Sequence, residues 1–263
     1  METNVGGDNP SSEKDAPPTI PLDRQHLLFD ADDTLWENNV HFERSVEEFV
    51  RFLDHEHLAP REIRAMLDEI ELANVSTHGY GARAFAHSLS ETFQQITGSN
   101  DEQALESVRA FGLRILDIEM EPIEGVQETL EALRPHHDLF LITKGDPEEQ
   151  RLKIDRSAAS QIFDAHVITQ EKRTNTYRDI VESLKLDPLR TWMIGNSTRS
   201  DIHPALEAGL HAVLIPHPMT WHLEHVDIEH HPGWKGQFVE LGSFRELLTL
   251  FRHSPSRSHG RMD

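Results

Sequence analysis

The sequence of 263 residues contains no cysteine, which excludes disulfide bonds, thiolate metal sites and cysteine nucleophiles. Positive charge is also scarce. Against 46 aspartates and glutamates stand only 25 lysines and arginines, which gives a formal net charge of −21. Because a surface this acidic repels phosphate backbones and anionic lipids, we expect no nucleic acid and no membrane among the partners.

Long apolar runs are missing as well. No segment approaches the roughly 20 apolar residues of a membrane span, and the N-terminal region has no apolar core of signal-peptide length. We therefore predict a cytoplasmic protein. Residues 1–22 and 253–263 are rich in small, polar and charged residues, a composition that buries too little apolar surface to order a chain. We predict that both are disordered tails.

What the sequence does have is a series of short apolar runs rich in branched side chains. Such runs predict the buried strands of a parallel sheet, and the helix-like segments between most of them predict crossover connections. The fold class predicted is α/β, with a doubly wound parallel sheet of Rossmann type. The predicted strands are residues 26–29, 139–142, 166–168, 192–194 and 212–215.

One connection is far too long for a simple crossover. More than a hundred residues separate the first predicted strand from the second, and within them apolar residues recur at helical spacing. We predict an inserted helical domain at residues 36–120. The α/β core domain would then comprise residues 23–35 and 121–252.

Chemically capable side chains follow each of the first four predicted strands. The first strand is followed by Asp30 and Asp32, the second by Thr143 and Lys144, the third by Lys172, and the fourth by a segment that includes Asn196 and Asp201. Ligands of open α/β sheets bind beyond the carboxyl ends of the strands. We therefore expect these side chains to meet at one edge of the sheet.

This set resembles the haloacid dehalogenase (HAD) superfamily. Its signature is D-x-D-x-T after the first strand, Ser or Thr after the second, a lysine, and acids after the fourth. The helical insert between the first and second motifs resembles the C1-capped, phosphatase-like branch, in which the cap covers the active site. Within this resemblance Asp32 favours phosphoryl transfer, because true dehalogenases lack the second aspartate.

The resemblance implies a role for each residue around the reacting phosphate. Asp30 would be the nucleophile that forms an aspartyl-phosphate, and Asp32 the general acid and then the general base. Thr143 would contact the phosphoryl oxygens. Lys144 is either a second phosphate contact or a rim residue towards the cap. Asp33 and Thr34 would hold the loop.

Two lysines compete for the position of the family's lysine. Lys172 follows a strand and precedes Thr174, a candidate helix N-cap, and is preferred as the residue that balances the charge of Asp30 and phosphate. Lys153 lies within the helix predicted after Thr143, which should begin with Asp146 as N-cap and Pro147. In that helix we interpret Lys153 as part of a solvated face.

The implied cofactor is Mg²⁺, which prefers hard oxygen ligands. Asp30, the backbone carbonyl of Asp32, and Asp201 would supply them. Asn196 stands where many relatives carry Asp, so it would act through a bound water, and Ser200 could add a hydrogen bond behind the ligands. A zinc site among the histidines of residues 217–231 is disfavoured because no ligand spacing supports it.

The predicted activity is hydrolysis of a small phosphorylated metabolite by a Mg²⁺-dependent phosphatase. Two alternatives stay open: a phosphomutase on the same core, and a non-catalytic binding protein with this fold. The substrate would be selected by the cap. The cap residues expected to face it are Trp36, Glu37, Asn38, His78, Gly79, Tyr80 and Arg83.

Overall fold

A computed structural model describes residues 23–53, 58–228 and 234–251. Both predicted tails lie outside the described residues. The centre of the molecule is a sheet of six parallel strands, in the order β3-β2-β1-β4-β5-β6. The strands are β1 His26–Phe29, β2 Asp138–Lys144, β3 Ala165–Thr169, β4 Thr191–Gly195, β5 His211–Leu214 and β6 Phe238–Glu240. The five predicted strands are confirmed, whereas β6 was not predicted.

Helices cover both faces of this sheet, so the predicted α/β class with a doubly wound parallel sheet is confirmed. Alternate strand residues point to opposite faces: Leu27 and Phe29 belong to one buried cluster and Leu28 to the other. The helices of the core are α5 Val126–Leu133, α6 Pro147–Arg156, α7 Thr174–Ser183, α8 His203–Glu207 and α9 Leu247–Leu250.

The central position of β1 explains why its carboxyl end can carry a site. Phe29 is in register with Leu141 of β2 on one side and Ile194 of β4 on the other. The segments that follow these three strands therefore emerge side by side at one edge of the sheet. We call this the carboxyl edge.

Between β1 and α5 the described residues form four further α-helices: α1 Asn39–Leu53, α2 Pro60–His78, α3 Ala82–Thr97 and α4 Glu102–Leu113. We call them the helical insert. They enclose an apolar cluster of their own, with Phe49, Leu67, Leu89 and Val108 at its buried centre. Within the described part of the chain, no helix combines the length and apolar character needed to cross a bilayer.

The starts of two helices test the capping predictions. Asp146 caps α6 as predicted, since its Oδ1 accepts hydrogen bonds of 3.0 Å from the backbone N–H groups of Glu148 and Glu149. The prediction that Thr174 caps α7 was wrong by one residue. Arg173 has the extended backbone of the N-cap, and the hydroxyl of Thr176 accepts its N–H at 3.3 Å.

Candidate active site

Asp30 occupies the first position after β1, beneath the helical insert. Its backbone N–H donates to the carbonyl of Ile194 at 2.9 Å, which continues the sheet pairing by one residue. The buried carboxylate is held at both oxygens: Oδ1 contacts the Lys172 ammonium, and Oδ2 accepts a hydrogen bond of 3.0 Å from the Thr34 hydroxyl. The nearest turn of the chain and a distant lysine thus fix the same side chain.

Lys172 bridges two buried carboxylates. Besides Asp30, its Nζ contacts Oδ1 of Asp201 at 2.8 Å, while the Ser197 N–H donates to Oδ2 of Asp201 at 3.0 Å. Burial disfavours the ammonium, but the two carboxylates outweigh burial and raise the pKa of Lys172 above its ordinary value. Gly195 makes room for this arrangement, because a Cβ there would stand 2.2 Å from Asp201 Oδ2.

The site has more negative than positive charge at Asp30. Burial, reinforced by Asp201 and only partly opposed by Lys172, raises the pKa of Asp30 to about 7. One ammonium therefore does not fully balance two carboxylates in this buried position. An additional cation, or a proton, would stabilise the pair.

Asp32, two residues on, is also surrounded by donors. Lys153 Nζ lies 2.9 and 2.8 Å from its two carboxylate oxygens, and the side chains of Gln150 and Trp36 donate to it at 2.9 and 2.8 Å. Burial raises the pKa of Asp32, but Lys153 and these hydrogen bonds lower it by more, so the net shift is downward. In this structure Asp32 is a carboxylate paired with an ammonium.

The interpretation of Lys153 as part of a solvated face was wrong. Its side chain is largely buried, and besides Asp32 it donates to Asn38 Oδ1 at 2.7 Å. The helix α6 begins directly beneath the insert, so its residues at positions 150 and 153, one turn apart, point to the same side. The spacing places both side chains on one face of α6, but only the packed structure shows that this face meets Asp32.

Asn196 and Thr143 complete the floor of the site. Asn196 Oδ1 lies 3.2 Å from the Thr34 hydroxyl, and its Nδ2 donates to Thr220 at 2.8 Å. Thr143, near the carboxyl end of β2, is buried and lines the same cavity as Asp30. The residues predicted to react with or bind the phosphate and the metal all line this cavity: Asp30, Asp32, Thr143, Lys144, Lys172, Asn196 and Asp201.

Lys144 points towards the rim and not towards Asp30. Its Nζ donates to Ser200 Oγ at 2.9 Å, pairs with Glu224, and lies 4.2 Å from the centre of the Tyr80 ring. Glu224 was not predicted, although it lies in the histidine-rich segment. It also accepts hydrogen bonds from Ser197 and Ser200. The segment thus reaches the site through a glutamate.

A second group of possible metal ligands lies beside the loop after β1. Asp33, Glu37 and His217 place one donor atom each within 4.8 Å of one another. Asp33 adopts a positive φ of 59° and accepts the backbone N–H groups of Asn38 and Asn39 at 2.9 and 3.0 Å, which structures the loop. Its carboxylate is therefore already occupied in holding the loop. His230 and His231 lie outside the described residues.

The helical insert and the carboxyl edge enclose a cavity of about 160 Å³. We call it the active-site cavity. Of the residues expected to face the substrate, Asn38, Gly79 and Tyr80 line it. The others do not line this cavity: Trp36 is buried against Asp32, Glu37 pairs with His217, His78 is exposed, and Arg83 pairs with Glu149.

Glu149 joins the insert to the core. This buried carboxylate of α6 accepts the backbone N–H groups of Ala82 at 2.7 Å and Arg83 at 3.1 Å, and so caps α3 from outside the insert. Gly81 permits the approach, with a φ of +117° and a hypothetical Cβ 2.3 Å from Glu149 Oε2. Tyr80 adds a hydrogen bond of 2.9 Å to Glu171.

Known proteins resemble this chain in sequence and in fold. The family model of haloacid dehalogenase-like hydrolases matches residues 25–209. Among curated proteins, the N-acylneuraminate-9-phosphatases of rat and human are each 26% identical to this chain over 201 and 199 residues. Each alignment covers 72% of this chain and 80% of the relative.

Solved structures give the same fold. A haloacid dehalogenase-like family hydrolase from Xanthomonas campestris superposes with a TM-score of 0.73 at 26% identity, covering 87% of this chain and 94% of that one. A magnesium-bound HAD-hydrolase from Bacillus subtilis has a TM-score of 0.60 at 18% identity and covers 88% and 100%. The second likeness concerns the fold alone.

Proposed function

Because this chain belongs to the haloacid dehalogenase-like hydrolases, we propose that it is a Mg²⁺-dependent phosphatase that hydrolyses a small phosphomonoester through an aspartyl-phosphate on Asp30. The observation that carries the proposal is the position of the Asp30 carboxylate, which lies at the cavity between Lys172 and Thr34 with Asp32 on the same loop. The curated relatives are named as phosphatases, which supports the reaction class.

In the first step a carboxylate oxygen of Asp30 attacks phosphorus, and the bond from phosphorus to the leaving oxygen breaks. Thr143 contacts the phosphoryl oxygens, and Lys172 stabilises the negative charge that they carry in the transition state. Lys172 also keeps Asp30 in place, because Asp201 holds the ammonium from its other side.

The leaving oxygen needs one proton. Asp32 is ionised in this structure, so it has no proton of its own to donate. We assign that proton to the pair formed by Asp32 and the Lys153 ammonium, whose atoms are 2.8 Å apart. In the second step water attacks phosphorus and gives its proton back to the same pair. The bond from phosphorus to Asp30 then breaks, which releases phosphate and restores the Asp30 carboxylate and the protonated pair of Asp32 and Lys153.

The donor set fits a magnesium ion. Asp30 and Asp201 are buried carboxylates that share the single ammonium of Lys172, so the group carries a net negative charge that a cation would offset. Their side chains, with the Asp32 carbonyl, would hold the ion, and Asn196 would act through a water. When bound, Mg²⁺ supplies positive charge that neutralises the phosphoryl oxygens.

We further propose that the helical insert is the cap of a two-part enzyme, at residues 36–120 within a core of residues 23–35 and 121–252. Its contacts through Glu149 and Tyr80 support this division, since they tie the insert to the core beside the cavity. A cap in this position excludes bulk water from the reacting phosphate.

The test is phosphate release from a panel of phosphomonoesters, with and without Mg²⁺, by the wild type and by Asp30→Asn. N-acylneuraminate 9-phosphate belongs in the panel because of the relatives' names. We expect Mg²⁺-dependent release that Asp30→Asn abolishes. Release that survives the substitution would refute the assignment of Asp30. An isomerised sugar phosphate would indicate a mutase, and binding without turnover a non-catalytic role.

A further inference from the structure

The wall that the helical insert contributes to the active-site cavity carries a clustered set of charges. Arg64, on α2, is bound by two carboxylates: its Nε donates to Asp68 at 2.7 Å and its Nη1 to Glu43 at 2.8 Å. Both pairs are largely screened from solvent by the insert. The guanidinium is therefore already neutralised within the wall.

Glu71 lies on the same side of α2, seven residues after Arg64, and lines the cavity. It is partly buried, and its carboxyl has no hydrogen-bond partner within the described part of the chain. Burial raises the pKa of Glu71 to about 8, although Arg64 opposes the shift. At neutral pH the group can both donate and accept a hydrogen bond.

Beside Glu71 this wall also has apolar side chains and a hydrogen-bond acceptor. Phe42, Val46 and Phe85 line it. The Nδ2 of Asn74 donates to Ser88 at 3.2 Å and to Glu91, which lies outside the cavity. The Asn74 Oδ1 is left as an acceptor. A bound group that meets this part of the wall finds apolar surface and the Asn74 acceptor.

Among the described residues, the cavity wall has no unpaired basic side chain. Four basic side chains line the cavity among the described residues, and each is paired with at least one carboxylate: Arg64, Lys144, Lys153 and Lys172. The last two are the residues assigned above to the reacting phosphate. Every basic side chain of the described cavity wall is therefore already paired, and none is left unpaired for a second anionic group.

We propose that the substrate's leaving group carries no negative charge and presents a hydroxyl or ammonium group to Glu71. This inference rests on the proposed phosphatase function and narrows its substrate class. A carboxylate on the leaving group would meet the Glu43 carboxylate, which lines the cavity beside Glu71, with only one, already paired, arginine. Like charges placed opposite each other in a desolvated site are strongly unfavourable.

Two size-matched sets of phosphomonoesters test the proposal. The two-carbon set is phosphoethanolamine, 2-hydroxyethyl phosphate and phosphoglycolate. The six-carbon set is glucosamine 6-phosphate, glucose 6-phosphate and 6-phosphogluconate. We expect kcat/KM for the carboxylated member of each set to be lower than for its hydroxyl counterpart by on the order of tenfold or more. Equal or better turnover of both carboxylated members would overturn the proposal.

Glu71→Gln tests whether the charge preference arises from Glu71. Glu69→Gln, on the exposed side of the same helix, is the matched control. Glu71→Gln should lower kcat/KM for the ammonium members about tenfold, because a bound ammonium favours the ionised form of Glu71 and pairs with it, whereas the amide cannot ionise. The carboxylated members should be unchanged or improved. Glu69→Gln should change none of them. Identical effects of the two variants would contradict the assignment of Glu71.

Binding to Asp30→Asn, measured by calorimetry on the same six compounds, separates this proposal from the phosphatase proposal. Binding in the predicted order without phosphate release by the wild type would support the charge preference and refute the phosphatase. Tighter binding of the carboxylated members, or no binding of any compound, would overturn the charge preference.

Discussion

Glu71→Gln should stabilise the protein at alkaline pH and have little effect at acidic pH. In the folded protein burial raises the pKa of Glu71 from 4.5 to about 8. The unfolded chain therefore releases this proton near the ordinary pKa of a glutamate, whereas the folded protein keeps it until higher pH. The wild type consequently loses folding free energy as pH rises from 4.5 to about 8. The glutamine variant has no proton to release there.

The size of the effect follows from the pKa difference. At about 1.36 kcal/mol per pH unit, the full shift corresponds to roughly 4–5 kcal/mol. Because the carboxyl borders the cavity and is only partly buried, solvent screening reduces this value. We expect about 1–2 kcal/mol at pH above the folded pKa.

The assay is denaturant unfolding of the wild type, Glu71→Gln and Glu69→Gln at acidic, neutral and alkaline pH, with the midpoint and slope fitted at each pH. Asp30 and Asp33 also have raised pKa values, so the stability of the wild type alone does not isolate Glu71. The difference between wild type and variant does. A difference that stays constant with pH would refute the reasoning.

Two further predictions concern the residues behind the site. Lys153→Met should lower kcat about 10- to 100-fold with little change in KM, since proton transfer of this kind contributes about 10²–10⁴-fold. Lys153→Arg should recover part of the loss. Lys235→Met, at an exposed position, is the control and should have no effect. Gly81→Ala should lower Tm more than Gly79→Ala. Both glycines have positive φ, but only at Gly81 would the new Cβ meet Glu149; equal losses would contradict a role for that contact.

The sequence predicted the sheet well because buried parallel strands are continuous apolar runs. The strand β6 escaped because it has three residues, ends in an exposed glutamate and lies at the edge of the sheet. Such a strand is defined by its pairing with β5, as Val213 with Val239, and not by its own composition.

The residues of the site were predictable where they directly follow a strand, because parallel register brings those positions together. Lys153 was misinterpreted and Glu224 was missed because neither directly follows a strand. Lys153 acts from within a helix, and Glu224 from a segment far along the chain, so only the packed structure shows that they reach Asp32 and Lys144. Glu71 differs again, since its burial depends on how the insert packs over the core.

The most direct test of the central claim is to trap the covalent intermediate. The wild type would be mixed with Mg²⁺ and a turned-over phosphomonoester, quenched in acid within the first turnover, and examined by peptide mass spectrometry. We predict one added phosphoryl group on the peptide that contains Asp30, and none in Asp30→Asn treated identically. Phosphate release by the wild type without this adduct, or an adduct on another residue, would contradict the account.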